Sequence, residues 1–202
     1  MIVLARHGET PANRQGLILG RADPDLTDLG RSQAGIMARA LALEHPVAVV
    51  SSPLRRARQT AEAIASAAGL AGEVDERLIE VDWGELEGRP YLGIAPAGLA
   101  TAETGSPVAQ GGESLTSLRD RVAPCCEELL ERAGTGLVIA VSHVSPIKAA
   151  VAWALDVDDR VAWRMRLSLA SISRIARRGD ALFLVSFNEV GHLAAGPTTA
   201  PG

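Results

Sequence analysis

Lysine is almost missing from this chain: of its 20 basic residues only Lys148 is a lysine. An anion site here is therefore built mainly from guanidinium forks, which suit bidentate recognition of phosphate or carboxylate. An excess of positive charge is missing too. The net charge of −4 gives no global field to draw nucleic acid or an anionic membrane surface, so an anionic ligand must be held by a local cationic cluster. No uninterrupted apolar run approaches the roughly 20 residues of a membrane span. Residues 1–7 are too short and wrongly flanked for a secretory signal, and a cytoplasmic location is the expectation. The two cysteines, Cys125 and Cys126, are adjacent within a helical pattern. They neither pair readily with each other nor show a metal-ligand spacing, and are expected to pack in the core.

What is present is 202 residues, 47% hydrophobic and 22% charged, a composition suited to one domain with a sizeable core. That domain is expected over 1–193, with an unstructured tail, "AAGPTTAPG", at 194–202. The pattern inside it is strand, polar turn, helix, repeated. "MIVLA" is a continuous apolar run closed by Arg6-His7-Gly8, the form of an inner strand of a parallel sheet. Thr27 is placed to cap a helix carrying Leu29, Ile36, Met37, Ala40 and Leu41. "VAVV" at 47–50 reads as a second buried strand. A helix follows, with Leu54, Ala57, Ala61, Ile64 and Ala68 on one face and Gly69 at its end. Ser114 starts a helix running to about Ala133, with Pro124 an irregularity in it. The strand "LVIAVS" comes next, then a helix from about Ser145 to Leu155. "SISRIA" and "ALFLVSF" flank "RRGD", which predicts a hairpin and so an antiparallel strand in an otherwise parallel sheet. Residues 91–112, rich in Gly, Ala, Pro and Thr, read as an irregular loop with room for a short helix and for a lid function.

Three of these strands end in polar stretches: "RHGET", "SSPLRRARQT" and "VSHVSP". If the strands are parallel, the three turns share one sheet edge, where open α/β sheets bind ligands. His7, His143 and one or more of Arg6, Arg55 and Arg56 then converge, and "LIEVDWGELEG" brings Glu80 from a fourth expected strand end. Two imidazoles, several guanidiniums and a carboxyl group in one crevice suit covalent phosphoryl transfer. A neutral histidine attacks, arginines offset the equatorial charge, and the carboxyl group handles the proton. No metal or other cofactor is required. Either histidine alone would be an ordinary buried imidazole; shared placement after apolar strands, with two arginines, favours the catalytic reading. His45, Arg58, Arg177 and Arg178 read as solvated, His192, Trp153 and Trp163 as packing or local bonding, and Asp82 as a pocket neighbour or a turn residue.

These blocks resemble the histidine phosphatase superfamily, also called phosphoglycerate mutase-like. The residues that carry the likeness are "RHGET" with Asn13, "D.DLTDLGRSQA" at 23–34, "SSPLRRARQTAEAIA" at 51–65, "E.DWGELEG" at 80–88, "GGES" at 111–114 and "VSH" at 141–143. The resemblance implies a three-layer α/β/α sandwich with a mostly parallel central sheet and at least one antiparallel strand. It further implies that His7 is the nucleophile forming a phosphohistidine, with Arg6 and Arg56 holding phosphate oxygens. Glu80 is then the proton donor and His143 the second pocket histidine. Thr10, Asn13 and Gly20 would line the rest of the pocket, and Arg55, at the variable position of "LRRA", would face solvent.

"E.DWGELEG" is also similar to the phosphatase branch, including alpha-ribazole phosphatases and broad acid phosphatases. Between Arg89 and Arg119 there is no Lys or Arg to take a substrate carboxylate, so hydrolysis of a small phosphomonoester is expected over phosphoglycerate mutase activity. An inert relative that only binds a phosphorylated ligand would be marked by loss of the nucleophile or the proton donor, and both are present. Val144-Ser145-Pro146 follows His143 where many relatives carry glycine; the branched Val144 adds bulk beside the pocket and is expected to touch substrate. "SHVSPIK" is similar to the phosphatase half of bacterial proteins that fuse ribonuclease H to an acid phosphatase. Sugar phosphates, nucleotide precursors and phosphoserine stay open as substrates, as does the oligomeric state.

Overall fold

The computed structural model describes residues 1–91 and 105–195. Six strands form one sheet: β1 (Ile2–Arg6), β2 (Ala48–Ser51), β3 (Gly72–Val74), β4 (Val138–Ser142), β5 (Ile172–Arg178) and β6 (Ala181–Glu189), in the order β3-β2-β4-β1-β5-β6. The pairs β2–β3, β2–β4 and β1–β4 are parallel; β5 runs antiparallel to β1 and β6 antiparallel to β5. This is the expected mixed sheet. Its hairpin turns where Gly179 has a φ of 57°, a conformation that glycine adopts without strain.

Helices cover both faces. Along β1, Ile2 and Leu4 enter one apolar cluster with residues of the helices Leu115–Ala133 and Val144–Ala154. Val3 and Ala5 enter another with residues of Asp28–Ala42 and Arg55–Ala68. An inner strand buried on both sides has no polar position to spare, which is why it reads as an unbroken apolar run. The caps fall where the side chains predict: Thr27 and Ser114 each accept a backbone N–H of the first helical turn, and Gly69 closes its helix with a φ of 69°. Pro124 lies within a helix that continues unbroken through it. Cys125 and Cys126 are buried free thiols in the core, their pKa values raised by burial.

One expectation is corrected, and one element was not foreseen. Glu80 does not stand at a strand end: β3 has already finished at Val74, and Glu80 lies in irregular chain between the short 3-10 turns Glu76–Leu78 and Gly84–Leu86. The edge strand β3 was itself not foreseen, because its three residues are all exposed and carry no apolar run. Most of the expected lid, 92–104, and most of the expected tail, 196–202, lie outside the described residues. No helix among the described residues is long and apolar enough to cross a membrane.

The turn after β1 is clamped from two helices. Gly8 N–H donates to Thr60 Oγ1 at 3.2 Å and Glu9 N–H to Gln33 Oε1 at 2.9 Å, while Thr27 N–H donates to the Glu9 carbonyl at 2.9 Å. The backbones touch: a Cβ on Gly8 would meet the Gly30 carbonyl oxygen at 2.3 Å, and one on Gly30 would meet the Glu9 carbonyl oxygen at 2.1 Å. Gly30→Ala is therefore expected to cost about 1–3 kcal/mol through overpacking, seen in calorimetry as a fall of several degrees in Tm. A Tm equal to wild type would mean that the contact is not tight.

Candidate active site

The site follows from strand register. Arg6 pairs with Ser142 across β1 and β4, and Ser51 with Val141 across β2 and β4. The next residues, His7, His143 and Ser52, therefore leave the sheet at the same edge. The rings of His7 and His143 lie 5.1 Å apart, tilted by 57°.

Each imidazole has one nitrogen committed. His7 Nδ1 lies 2.7 Å from the Gly8 carbonyl oxygen, which can only accept. Nδ1 therefore carries the proton, and Nε2 keeps its lone pair. His143 Nδ1 accepts from Arg56 Nε at 3.2 Å, so its Nε2 donates to Ser52 Oγ at 2.7 Å. Burial, followed by the charges of Arg56 and, for His7, Arg6, pushes both imidazole pKa values well below the usual histidine range. Both rings are neutral at physiological pH.

Arg56 is fully buried. Its Nη1 and Nη2 donate to the carbonyls of Ala22 at 2.8 Å and Gly20 at 2.7 Å. Arg6 Nη1 donates to the Leu167 carbonyl at 2.5 Å, and Arg6 Nε is buried without a partner. Neither guanidinium has an ion-pair partner among the described residues. Burial lowers both pKa values to about 10, which leaves both charged. A buried and a half-buried guanidinium, neither with a counter-ion among the described residues, beside a neutral imidazole with a free lone pair, form a seat for an anion.

Glu80 is 3% exposed, its Oε1 accepting from Val81 N–H at 2.8 Å and Ser145 N–H at 3.2 Å. Burial raises its pKa from the usual carboxyl value, against those two hydrogen bonds and the arginines, which pull it down. Gly20 sits in the cradle through its carbonyl, and its N–H is held by Glu87 Oε1 at 3.1 Å. Val144, half-buried, opens the helix behind His143 and lines a cleft with Ser145. Thr10 and Asn13 close a capping box on each other, and no hydrogen bond links that pair to His7, Arg56, His143 or Glu80.

Arg55 is exposed and its backbone N–H donates to Asp23 Oδ1 at 2.6 Å. His45 and Arg58 are exposed, and His192 Nε2 bonds the Ala170 carbonyl at 3.0 Å. Asp82 Oδ1 accepts from Gly84 N–H at 2.9 Å, a turn contact. Arg177 is half-buried and paired with Glu127. Sequence reasoning missed the supporting residues. Ser52 bonds His143, Thr60 Oγ1 ties Gly8 N–H to the Arg56 carbonyl, and Arg121 braces the Glu80 segment through the carbonyls of Arg77, Ile79 and Glu80. Ser52 and Thr60 lie in the block "SSPLRRARQT", but a buried hydroxyl in a motif has no signature that separates it from a helix cap.

The architecture is the phosphoglycerate mutase-like fold: Bacillus stearothermophilus YhfR superposes with a TM-score of 0.82 at 25% identity, over 95% of this chain and 98% of that one. The description "Histidine phosphatase superfamily (branch 1)" matches residues 2–190, and the chain belongs to that family. It is 34% identical over 197 residues to phosphoserine phosphatase 1 of Hydrogenobacter thermophilus, covering 95% of this chain and 93% of that protein. It is 35% identical over 198 residues to the bifunctional protein Rv2228c of Mycobacterium tuberculosis, covering 95% of this chain and 54% of that protein. The chain thus spans about half the length of the mycobacterial relatives of this group that it matches. Entamoeba histolytica phosphoserine phosphatase in complex with 3-phosphoglyceric acid superposes with a TM-score of 0.86 at 28% identity, over 95% of this chain and 98% of that one.

Ser52→Ala would leave the buried His143 Nε2 without a partner. We expect a loss of about 1–3 kcal/mol, read as a lower urea midpoint at unchanged m-value. An unshifted midpoint would show that His143 finds another acceptor.

Proposed function

We propose that the chain hydrolyses small-molecule phosphomonoesters through a phosphohistidine on His7. The observation that carries this reading is the Nδ1 contact of His7 with the Gly8 carbonyl, which leaves Nε2 unprotonated beside Arg6 and Arg56. In the first step His7 Nε2 bonds to phosphorus as the ester P–O bond breaks, and Glu80 gives its proton to the leaving oxygen. In the second, Glu80, now a carboxylate, takes a proton from water as that water attacks phosphorus and the P–N bond breaks. Arg6 and Arg56 offset charge on the equatorial oxygens, with His143 orienting Arg56 through its Nδ1; Thr10, Asn13 and Gly20 shape the pocket around them, and Val144 touches the leaving group. No step calls on a metal or other cofactor.

Relatives named phosphoserine phosphatase and glucosyl-3-phosphoglycerate phosphatase support hydrolysis of small metabolites, whose cytoplasmic supply fits a cytoplasmic enzyme. The likeness of "E.DWGELEG" to alpha-ribazole and broad acid phosphatases supports the same branch. A mutase reading draws on relatives named probable phosphoglycerate mutase GpmB, 32% identical over 180 residues. The absence of Lys and Arg between Arg89 and Arg119 weighs against it.

Rapid quench with labelled substrate is expected to trap an acid-labile, base-stable adduct, lost in His7→Ala. Turnover without an adduct would overturn the mechanism, and 2-phosphoglycerate as the main product from 3-phosphoglycerate would overturn hydrolysis. Glu80→Gln is expected to lower kcat on alkyl phosphates by about 100-fold or more, and far less on p-nitrophenyl phosphate, whose leaving group needs little protonation.

The pH profile follows from the two shifts. His7, with its lowered pKa, stays neutral into acid below the usual histidine range, and Glu80, with its raised pKa, keeps its proton above the usual carboxyl range. Wild-type kcat/KM is expected to be bell-shaped with an acidic optimum, falling as pH rises through the Glu80 pKa. Glu80→Gln removes that alkaline limb, and a limb that persists in this variant would assign it to another group.

A further inference from the structure

One cation near the site is not used by phosphate chemistry. Lys148, the chain's only lysine, lies on the helix Val144–Ala154, four residues after Val144 and three after Ser145, whose N–H holds Glu80. It is 8% exposed and makes no hydrogen bond or ion pair among the described residues. It lines the same cleft as Val144 and Ser145, whose other walls include Trp83, Leu115, Leu118 and Trp163. Among the described residues that line it the one carboxylate, Asp159, is already engaged by Arg119 Nη1 at 3.2 Å. Burial lowers the Lys148 pKa to about 8, a shift that Glu80 opposes when it is ionised, so the ammonium is charged at neutral pH and below.

A buried ammonium without a counter-ion is costly unless a ligand supplies one. Its position says which part of a ligand that is. Glu80 stands against the departing oxygen in the mechanism proposed above, and the cleft that holds Lys148 adjoins it through Ser145, whose N–H donates to Glu80 Oε1 at 3.2 Å, so on that mechanism the remainder of the leaving group extends toward Lys148. An amine there would be repelled, and a second phosphate dianion would leave one charge uncompensated against an apolar wall. A carboxylate matches the single ammonium.

We propose that Lys148 is the specificity-determining residue of this site, binding the carboxylate of a substrate that is the phosphate ester of a small hydroxy acid. The proposal rests on the phosphatase reading above and narrows its substrate class. It takes one cation for the carboxylate from the helix Val144–Ala154 rather than from the segment between Arg89 and Arg119, so the choice between hydrolysis and mutase activity passes to the product assay with 3-phosphoglycerate.

The test uses a matched pair, 3-phosphoglycerate and glycerol 3-phosphate, which differ by a carboxylate in place of a hydroxymethyl group. At pH 6.5, wild type is expected to favour 3-phosphoglycerate. Lys148→Met is expected to lower the ratio of the two kcat/KM values by about ten- to a hundredfold, mainly through KM for 3-phosphoglycerate, and Lys148→Arg to restore most of it. Proportionate losses on both substrates, or an unchanged ratio, would overturn the proposal, since a role in folding or in tuning Glu80 acts on both alike. Should wild type release phosphate from neither ester nor from p-nitrophenyl phosphate, the phosphatase reading fails by itself. Calorimetric binding of the same two compounds to wild type and Lys148→Met then decides the lysine: a selective loss of 3-phosphoglycerate affinity supports it, and equal affinities overturn it.

Discussion

Parallel pairing of β1 with β4, in the register that sets Arg6 beside Ser142, is the constraint on which the rest of the structure depends. It delivers two histidines from positions 136 residues apart to one edge, with their rings 5.1 Å apart. A slip of one residue would turn every β1 side chain to the other face of the sheet and send His7 away from its partner. The apolar residues of β1, buried on both faces, resist that slip. Core packing and site geometry are thus one fact seen from two sides.

The second consequence is electrostatic. The polypeptide places Arg6 and Arg56 where neither has a carboxylate ion-pair partner among the described residues, and backbone carbonyls of Leu167, Ala22 and Gly20 accept from three of their nitrogens. Carbonyl oxygens orient a guanidinium without cancelling its charge, so the positive potential is kept for a ligand. The same burial holds His7 and His143 neutral and Glu80 protonated above its usual range. One desolvated environment therefore sets three protonation states in the sense that phosphoryl transfer to an imidazole needs. Exclusion of water strengthens each of these interactions beyond its value in solution.

The supporting shell is spread over the chain. Ser52 holds His143, Thr60 holds the Gly8 turn, Ser145 holds Glu80, and Arg121 braces the chain from Arg77 to Glu80. These residues come from the end of β2 and from three helices, Arg55–Ala68 on one face of the sheet and Leu115–Ala133 and Val144–Ala154 on the other. Site geometry in this fold is then a property of how the layers pack, and changes in either apolar cluster will be felt at the sheet edge.

Much of this was legible in the amino-acid order. Unbroken apolar runs give β1 and β4, periodicity and capping residues give the long helices, and Gly-Asp between two strand patterns gives the hairpin, because each of these is a local preference. The strand-end histidines and arginines were legible for the same reason: a parallel sheet puts all such ends on one edge. Glu80 was placed at a strand end where there is none, since the irregular chain that carries it is fixed by Arg121 and by contacts with the helix Val144–Ala154, not by its own sequence. The exposed edge strand β3 left no pattern to read. Nor did anything in "SHVSPIK" show that Lys148 is buried in a cleft beside Val144 and Ser145. Sequence alone determined the kinds of groups available and the elements that carry them. Tertiary structure decided which of those groups lose water and which keep a partner, because desolvation and pairing depend on neighbours that only packing brings together.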